Sequence, residues 1–195
     1  MNATFILIAG LIIFIGSHSV RIVADGWRGA MIARIGALGW KGLIAVVSLL
    51  GFGLIVWGYG LTRADPVVLW SPPDWTRYLA ALLMLPAFVL LVAAYVPGNR
   101  IKTAVGHPMV ASVKIWALAH LLANGTLAGM LLFGSFLVWA VFSFRAARQR
   151  DQTEGRSYPA GPLSRTIIVL AVGIMAWAIF AMKLHDLLIG VRSFG

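Results

Sequence analysis

GHPMVASVKIWALAHLLANG, residues 106–125, is apolar enough to lie in a bilayer and yet carries His107, Lys114, His120 and Asn124. A polar side chain at membrane depth loses its water, and an ionised one costs roughly 2.5–3.5 kcal/mol on insertion scales, so these residues call for partners or for a function. The stretch is therefore the candidate site, and the rest of the chain reads as the scaffold that carries it. Composition agrees. Hydrophobic residues make up 61% of the chain and charged ones 11%, and mean hydropathy is +0.91, whereas a soluble domain carries about 25% charged residues. The expected fold is an all-α integral membrane protein.

A spanning helix needs about 20 residues rising 1.5 Å each. That measure predicts six spans, at about 3–22, 39–61, 77–96, 108–123, 126–146 and 164–190, in a single domain covering 1–195. The first run has no basic segment ahead of it and no small-residue cleavage pattern, so it reads as a retained helix rather than a secretory signal. Pro97-Gly98-Asn99 ends the third span, and Pro108 suits the first helical position after a capping His107. Asn124-Gly125 is a tight-turn signal, which makes the fourth and fifth spans an antiparallel hairpin. Arg145 to Pro162 is the one long polar segment and reads as a loop.

The net charge of +10 comes from basic residues set between apolar runs, not from a basic stripe interleaved with aromatics. The implied partner is a lipid bilayer, with no nucleic acid. With six spans and an outward N-terminus, eleven basic residues fall on the inner side: Arg21, Arg28, Arg34, Lys41, Arg100, Lys102, Arg145, Arg148, Arg150, Arg156 and Arg165. Arg63, Arg77 and Arg192 fall outside, and the bias orients both termini outward. The chain has no cysteine, which removes disulfides, iron–sulfur clusters, thiolate-bound haem and a cysteine nucleophile. A cofactor must then be held by histidine, carboxylate or carbonyl.

His120 shares a helical face with Trp116 and Asn124, one turn to either side. A neutral imidazole there can ligate haem iron, with Trp116 packing near the macrocycle and Asn124 supporting it, or it can hydrogen-bond a neighbouring helix. Lys114 lies seven residues after His107 on nearly the same face. It can meet a propionate or another anion, or snorkel to the headgroups. His18, near the inner end of the first span, is a second ligand or a headgroup-facing histidine. Lys183 and Asp186 are three apart and read as an ion pair, with His185 on another face. Depth sets a conflict: His18 lies near the inner face, while His120 lies about 18 Å along a helix rising from it. His107 matches His18 in depth and His185 matches His120, so these two are the alternate ligands. Neither a phosphate-cradling glycine loop nor paired carboxylates are present.

The segment HPMVASVKIWALAHLLANG, with GSHSVR in the first span and KLHDLLIGV near the end, resembles the NnrU family of bacterial membrane proteins over nearly the whole chain. The resemblance implies a multi-pass protein of the bacterial inner (plasma) membrane, here with both termini periplasmic, and a link to denitrification and nitric-oxide metabolism. The chain is also similar to plant ζ-carotene isomerase, an integral membrane enzyme that uses haem b. By motif, that enzyme's two histidine ligands fall on His18 and His120. Another of its histidines corresponds by spacing to Tyr59, and its Arg-His-Pro reads Gly106-His107-Pro108 here, so isomerase activity does not carry over with the ligands.

Three readings follow. The first is a haem-b protein acting in redox, nitric-oxide handling or isomerisation of a hydrophobic, polyene-like small molecule. The second is a methyltransferase-like protein using S-adenosylmethionine, by similarity to the isoprenylcysteine methyltransferases, whose hairpin also follows Arg-His-Pro. The third is a non-catalytic accessory or assembly protein whose polar residues hold the bundle together.

Overall fold

The computed structural model describes residues 2–194. The described residues form seven helices: α1 (Ala3–Val23), α2 (Asp25–Thr62), α3 (Trp75–Tyr95), α4 (Arg100–Val105), α5 (Pro108–Ala123), α6 (Leu127–Thr153) and α7 (Leu163–Ile189). Helices α1, α2, α3, α6 and α7 are long and apolar enough to cross a membrane. The shorter apolar α5, of 16 residues, is about 24 Å long against a hydrocarbon core of roughly 30 Å. The all-α integral membrane class is as the composition requires. The helices gather into two compact units, residues 1–70 with 126–139 and residues 71–125 with 140–195.

In the first unit α1 packs along α2. Three glycines let the two backbones approach. A Cβ on Gly51 would stand 2.7 Å from the Phe14 nitrogen, one on Gly10 2.6 Å from the Ile55 nitrogen, and one on Gly58 would collide with the Leu7 backbone. Between apolar helices in lipid, such close approach replaces the hydrophobic drive that water would supply. Helix α2 begins far ahead of the predicted start at residue 39. Its backbone breaks at Gly36 (φ 76°, ψ 161°), which separates an arm of residues 25–35 from the span that follows. The arm repeats Trp27, Met31 and Ile35 at helical spacing, and Trp27 sets its ring edge-on to the buried Trp40 at 5.7 Å. Glycines and charges interrupt its apolar run, so a span-length reading passes over it.

In the second unit α3 packs against both α5 and α7. Small residues again set the distance: Ala93, Ala117 and Ala119 are fully buried, and a Cβ on Gly173 would lie 2.8 Å from the Val89 Cα. The Trp177 indole donates to the Ala81 carbonyl at 2.8 Å. After α3 the chain turns through Pro97-Gly98-Asn99 as the sequence predicts, and Asn99 is the pin. Its buried amide donates to the Ala93 carbonyl at 2.8 Å, and its carbonyl accepts from the Lys102 backbone at 2.8 Å, which caps α4. Fully paired in this way, a buried amide costs little.

Two further expectations change, and one feature is new. The Asn124-Gly125 junction is not a tight turn: Asn124 is extended (φ −131°, ψ 115°), Gly125 has no positive φ, and Thr126 forms an isolated antiparallel bridge with Val68. Helix α6 continues to Thr153, so the first half of the polar segment from Arg145 is helical, and the loop is only residues 154–162. Within α7 a π-turn, Phe180–Leu184, interrupts the regular helix.

Candidate functional site

His18 stands near the end of α1 with its Nδ1–H donating to the Phe14 carbonyl at 2.8 Å. A carbonyl can only accept, so Nδ1 carries the proton and Nε2 carries the lone pair. The Phe14 ring stacks on the imidazole at 4.3 Å, and Trp139 meets it edge-on at 6.0 Å. The Trp139 indole N–H is buried and finds no acceptor among the described residues.

His120 repeats this arrangement in the other unit. Its Nδ1–H donates to the Trp116 carbonyl at 2.8 Å, again leaving the lone pair on Nε2, and the Trp116 ring lies 5.4 Å away. The predicted stripe thus holds for Trp116 and His120. Asn124 follows the last helical residue, Ala123, and its own backbone is extended. His185, just beyond the π-turn of α7, is within electrostatic reach of His120. Its own Nδ1–H donates to the Val191 carbonyl at 2.6 Å.

His107 differs from these three. It occupies the N-cap position of α5, but its side chain makes no capping bond. Instead its Nε2 meets the Asp151 carboxylate at 2.8 Å, and both side chains are largely buried. The Tyr158 hydroxyl donates to the same carboxylate at 3.0 Å. The Tyr158 hydroxyl is raised from its usual range by burial first, then by the hydrogen bond and negative charge of Asp151. Phe144 completes the cluster, edge-on to His107 at 6.3 Å. The Lys114 ammonium sits over the same ring, 4.8 Å from its centre, so the seven-residue spacing does bring His107 and Lys114 together, around an aromatic face. Cation–π contact of this kind is worth about 0.5–2 kcal/mol and compensates the lysine without an acid.

The expected Lys183–Asp186 pair does not form. Asp186 meets the Arg192 Nε at 3.5 Å, because the wider π-turn at Phe180–Leu184 displaces the residues beyond it around the helix axis. Among the described residues no group of three or more His, Cys, Asp or Glu gathers to hold a metal ion. A haem iron asks the protein for one or two axial ligands, so each histidine is judged by its own environment.

The sequence pattern of the family described as NnrU protein matches residues 6–193. The chain belongs to the NnrU family. No curated protein and no solved structure matches it. In this NnrU chain the residues that sequence reasoning missed are Asp151, Tyr158 and Trp139. Asp151 is one acid in a basic segment 44 residues from His107, and Trp139 passes for an interface anchor. A signal was present only in Asp151 being one of two carboxylates, with Glu154, among Arg145, Arg148, Arg150 and Arg156.

Proposed function

We propose that this NnrU-family membrane protein binds haem b, with His18 and His120 as the axial ligands that the sequence resemblance implies. The observation that carries the reading is the shared hydrogen bond: in each histidine Nδ1–H is engaged by the carbonyl four residues earlier, at 2.8 Å. That bond fixes the tautomer, orients the ring and raises the basicity of Nε2, which is what a metal-ligating imidazole needs. Beside His18, the buried Trp139 N–H is a donor awaiting an acceptor, a demand that a carboxylate-bearing group would meet. His107 is held differently, its Nε2 meeting the Asp151 carboxylate. Haem b in such a setting supplies a redox-active iron, suited to electron transfer, nitric-oxide handling in a denitrification-linked role, or isomerisation of a hydrophobic polyene. The chain's own part is to hold and orient the two imidazoles through the Phe14 and Trp116 carbonyls. The setting proposed is the bacterial inner membrane, with both termini periplasmic.

The accessory reading has its own support: Lys114 is compensated by Phe144 and His107 by Asp151, so part of the polar content of α5 holds the unit together. Spectra of protein purified after expression with ample haem separate the two. The haem reading expects a Soret band and a six-coordinate low-spin iron, lost or converted to high-spin in His18→Ala and in His120→Ala, and kept in His185→Ala and His107→Ala. Colourless wild-type protein sinks it. Loss of the spectrum in His107→Ala with retention in His120→Ala would move the ligand to His107.

A further inference from the structure

Where α3 ends and α7 begins, the second unit contains a cleft of about 370 Å³, lined among others by Gly98, Lys102, Thr103, Tyr158, Gly161 and Arg165. That size is within the range of small-molecule sites, roughly 300–1,000 Å³. No carboxylate lines it. Lys102 donates to the Ala94 carbonyl at 3.1 Å and Arg165 to the Pro97 carbonyl at 3.0 Å. These neutral acceptors fix both cations in place and leave their charge uncompensated, with most of their donors unspent. Among the described residues neither forms an ion pair. Asp151, the carboxylate that Tyr158 reaches, is already engaged with His107.

The floor is glycine for a reason. Gly98 takes φ +66°, and a Cβ on it would stand 2.7 Å from the Arg165 guanidinium. Gly161 donates its N–H to the Gly98 carbonyl at 2.8 Å, and a Cβ there would lie 2.8 Å from that oxygen. Any larger residue would fill the space in front of the arginine. Because α3 and α7 are both spans and the cleft sits at their ends, it opens at headgroup depth, where basic pockets between helices hold phosphate-bearing headgroups.

We propose that this cleft is a phosphate-anion site, held by Lys102 and Arg165. The chemistry is shared by the phosphodiester of an anionic lipid headgroup and by a soluble phosphate, and it is independent of the haem reading. The test titrates the detergent-purified full chain with phosphatidylglycerol, with phosphatidylcholine of the same acyl chains, and with inorganic phosphate, reading adducts by native mass spectrometry and melting by thermal shift. If the source is lipid, phosphatidylglycerol binds roughly tenfold or more tighter than phosphatidylcholine, and Lys102→Gln with Arg165→Gln removes that preference. Arg165→Lys, which keeps the charge, retains it, as does Lys183→Gln outside the cleft. If the source is soluble, inorganic phosphate raises the melting temperature of wild type and not of the double variant, while the two lipids bind alike. Should the double variant fail to fold, Lys102→Gln alone must still weaken whichever anion binds. Equal lipid binding with no phosphate response, or anion binding indifferent to Lys102, overturns the proposal.

Discussion

Asp151 carries more of the second unit's polar structure than any residue that stood out in the sequence, since one carboxylate engages both His107 and Tyr158. Asp151→Asn leaves a largely buried imidazole and a phenol with a weaker acceptor, and a charged hydrogen bond of this kind contributes about 1.5–3 kcal/mol. A loss of that order is expected in denaturant unfolding in micelles, and none from Glu154→Gln, whose carboxylate sits in an exposed pair with Arg156. The pH dependence has a definite sign. A hydroxyl raised from its usual range in the folded protein adds stability that is complete below the ordinary tyrosine value of 10.0 and is lost as pH climbs through the raised one. The alkaline limb of unfolding in wild type is thus expected to include a Tyr158 contribution that Tyr158→Phe removes. In Asp151→Asn the Tyr158 phenolate absorbance, taken as the difference from the Tyr158→Phe background, moves toward the ordinary range. An unchanged titration would show that burial alone sets it. Little of this was legible beforehand: His107, Lys114 and His120 announce themselves as polar residues in an apolar run, whereas Asp151 sits among charges and is singled out only when α6 carries it back to α5.

At the scale of elements, apolar run length located the spans because the bilayer imposes it, and it failed wherever a helix leaves the bilayer. The arm before Gly36 and the last turns of α6 are helical without being long apolar runs, and the π-turn at Phe180–Leu184 has no signature in hydropathy. Close helix approach was legible only as an abundance of glycine, not as particular pairings of residues. The structure singles out Gly58, where a Cβ collides with the Leu7 backbone of α1. Gly58→Leu is expected to cost about 1–3 kcal/mol or more by forcing α1 from α2, whereas Gly53→Leu, with open space at its Cβ, is expected to be close to neutral. Thermal unfolding in detergent of the two variants checks this, and equal behaviour would reject the notch. The exposed Asp186–Arg192 pair sets the opposite expectation: with these side chains 50% and 73% accessible, Asp186→Asn should change stability by less than about 1 kcal/mol.

For the whole molecule, whether the short α5 crosses the membrane sets the topology, and the distribution of charge favours a crossing. If it crosses, inner-side basic residues number eleven and outer ones three: Arg63, Arg77 and Arg192. If α5 stays on the inner side, the connection after α6 moves outward and takes Arg145, Arg148, Arg150, Arg156 and Arg165 with it, while Arg192 moves inward. The count becomes eight inside, with Lys114 of α5 now among them, and seven outside, and the orienting bias disappears. A helix of about 24 Å can cross if the bilayer thins locally or its ends are drawn in, at a cost of fractions of a kcal/mol per Å. Absence of cysteine makes the test direct, since each introduced thiol is the only one. Ser71→Cys, before α3, should react with a membrane-impermeant maleimide applied to intact cells. Ser157→Cys, in the loop after α6, should react only after the cells are opened. Labelling of Ser157→Cys in intact cells would put that loop outside and α5 on the inner surface, and would leave the chain with five crossings and its termini on opposite sides.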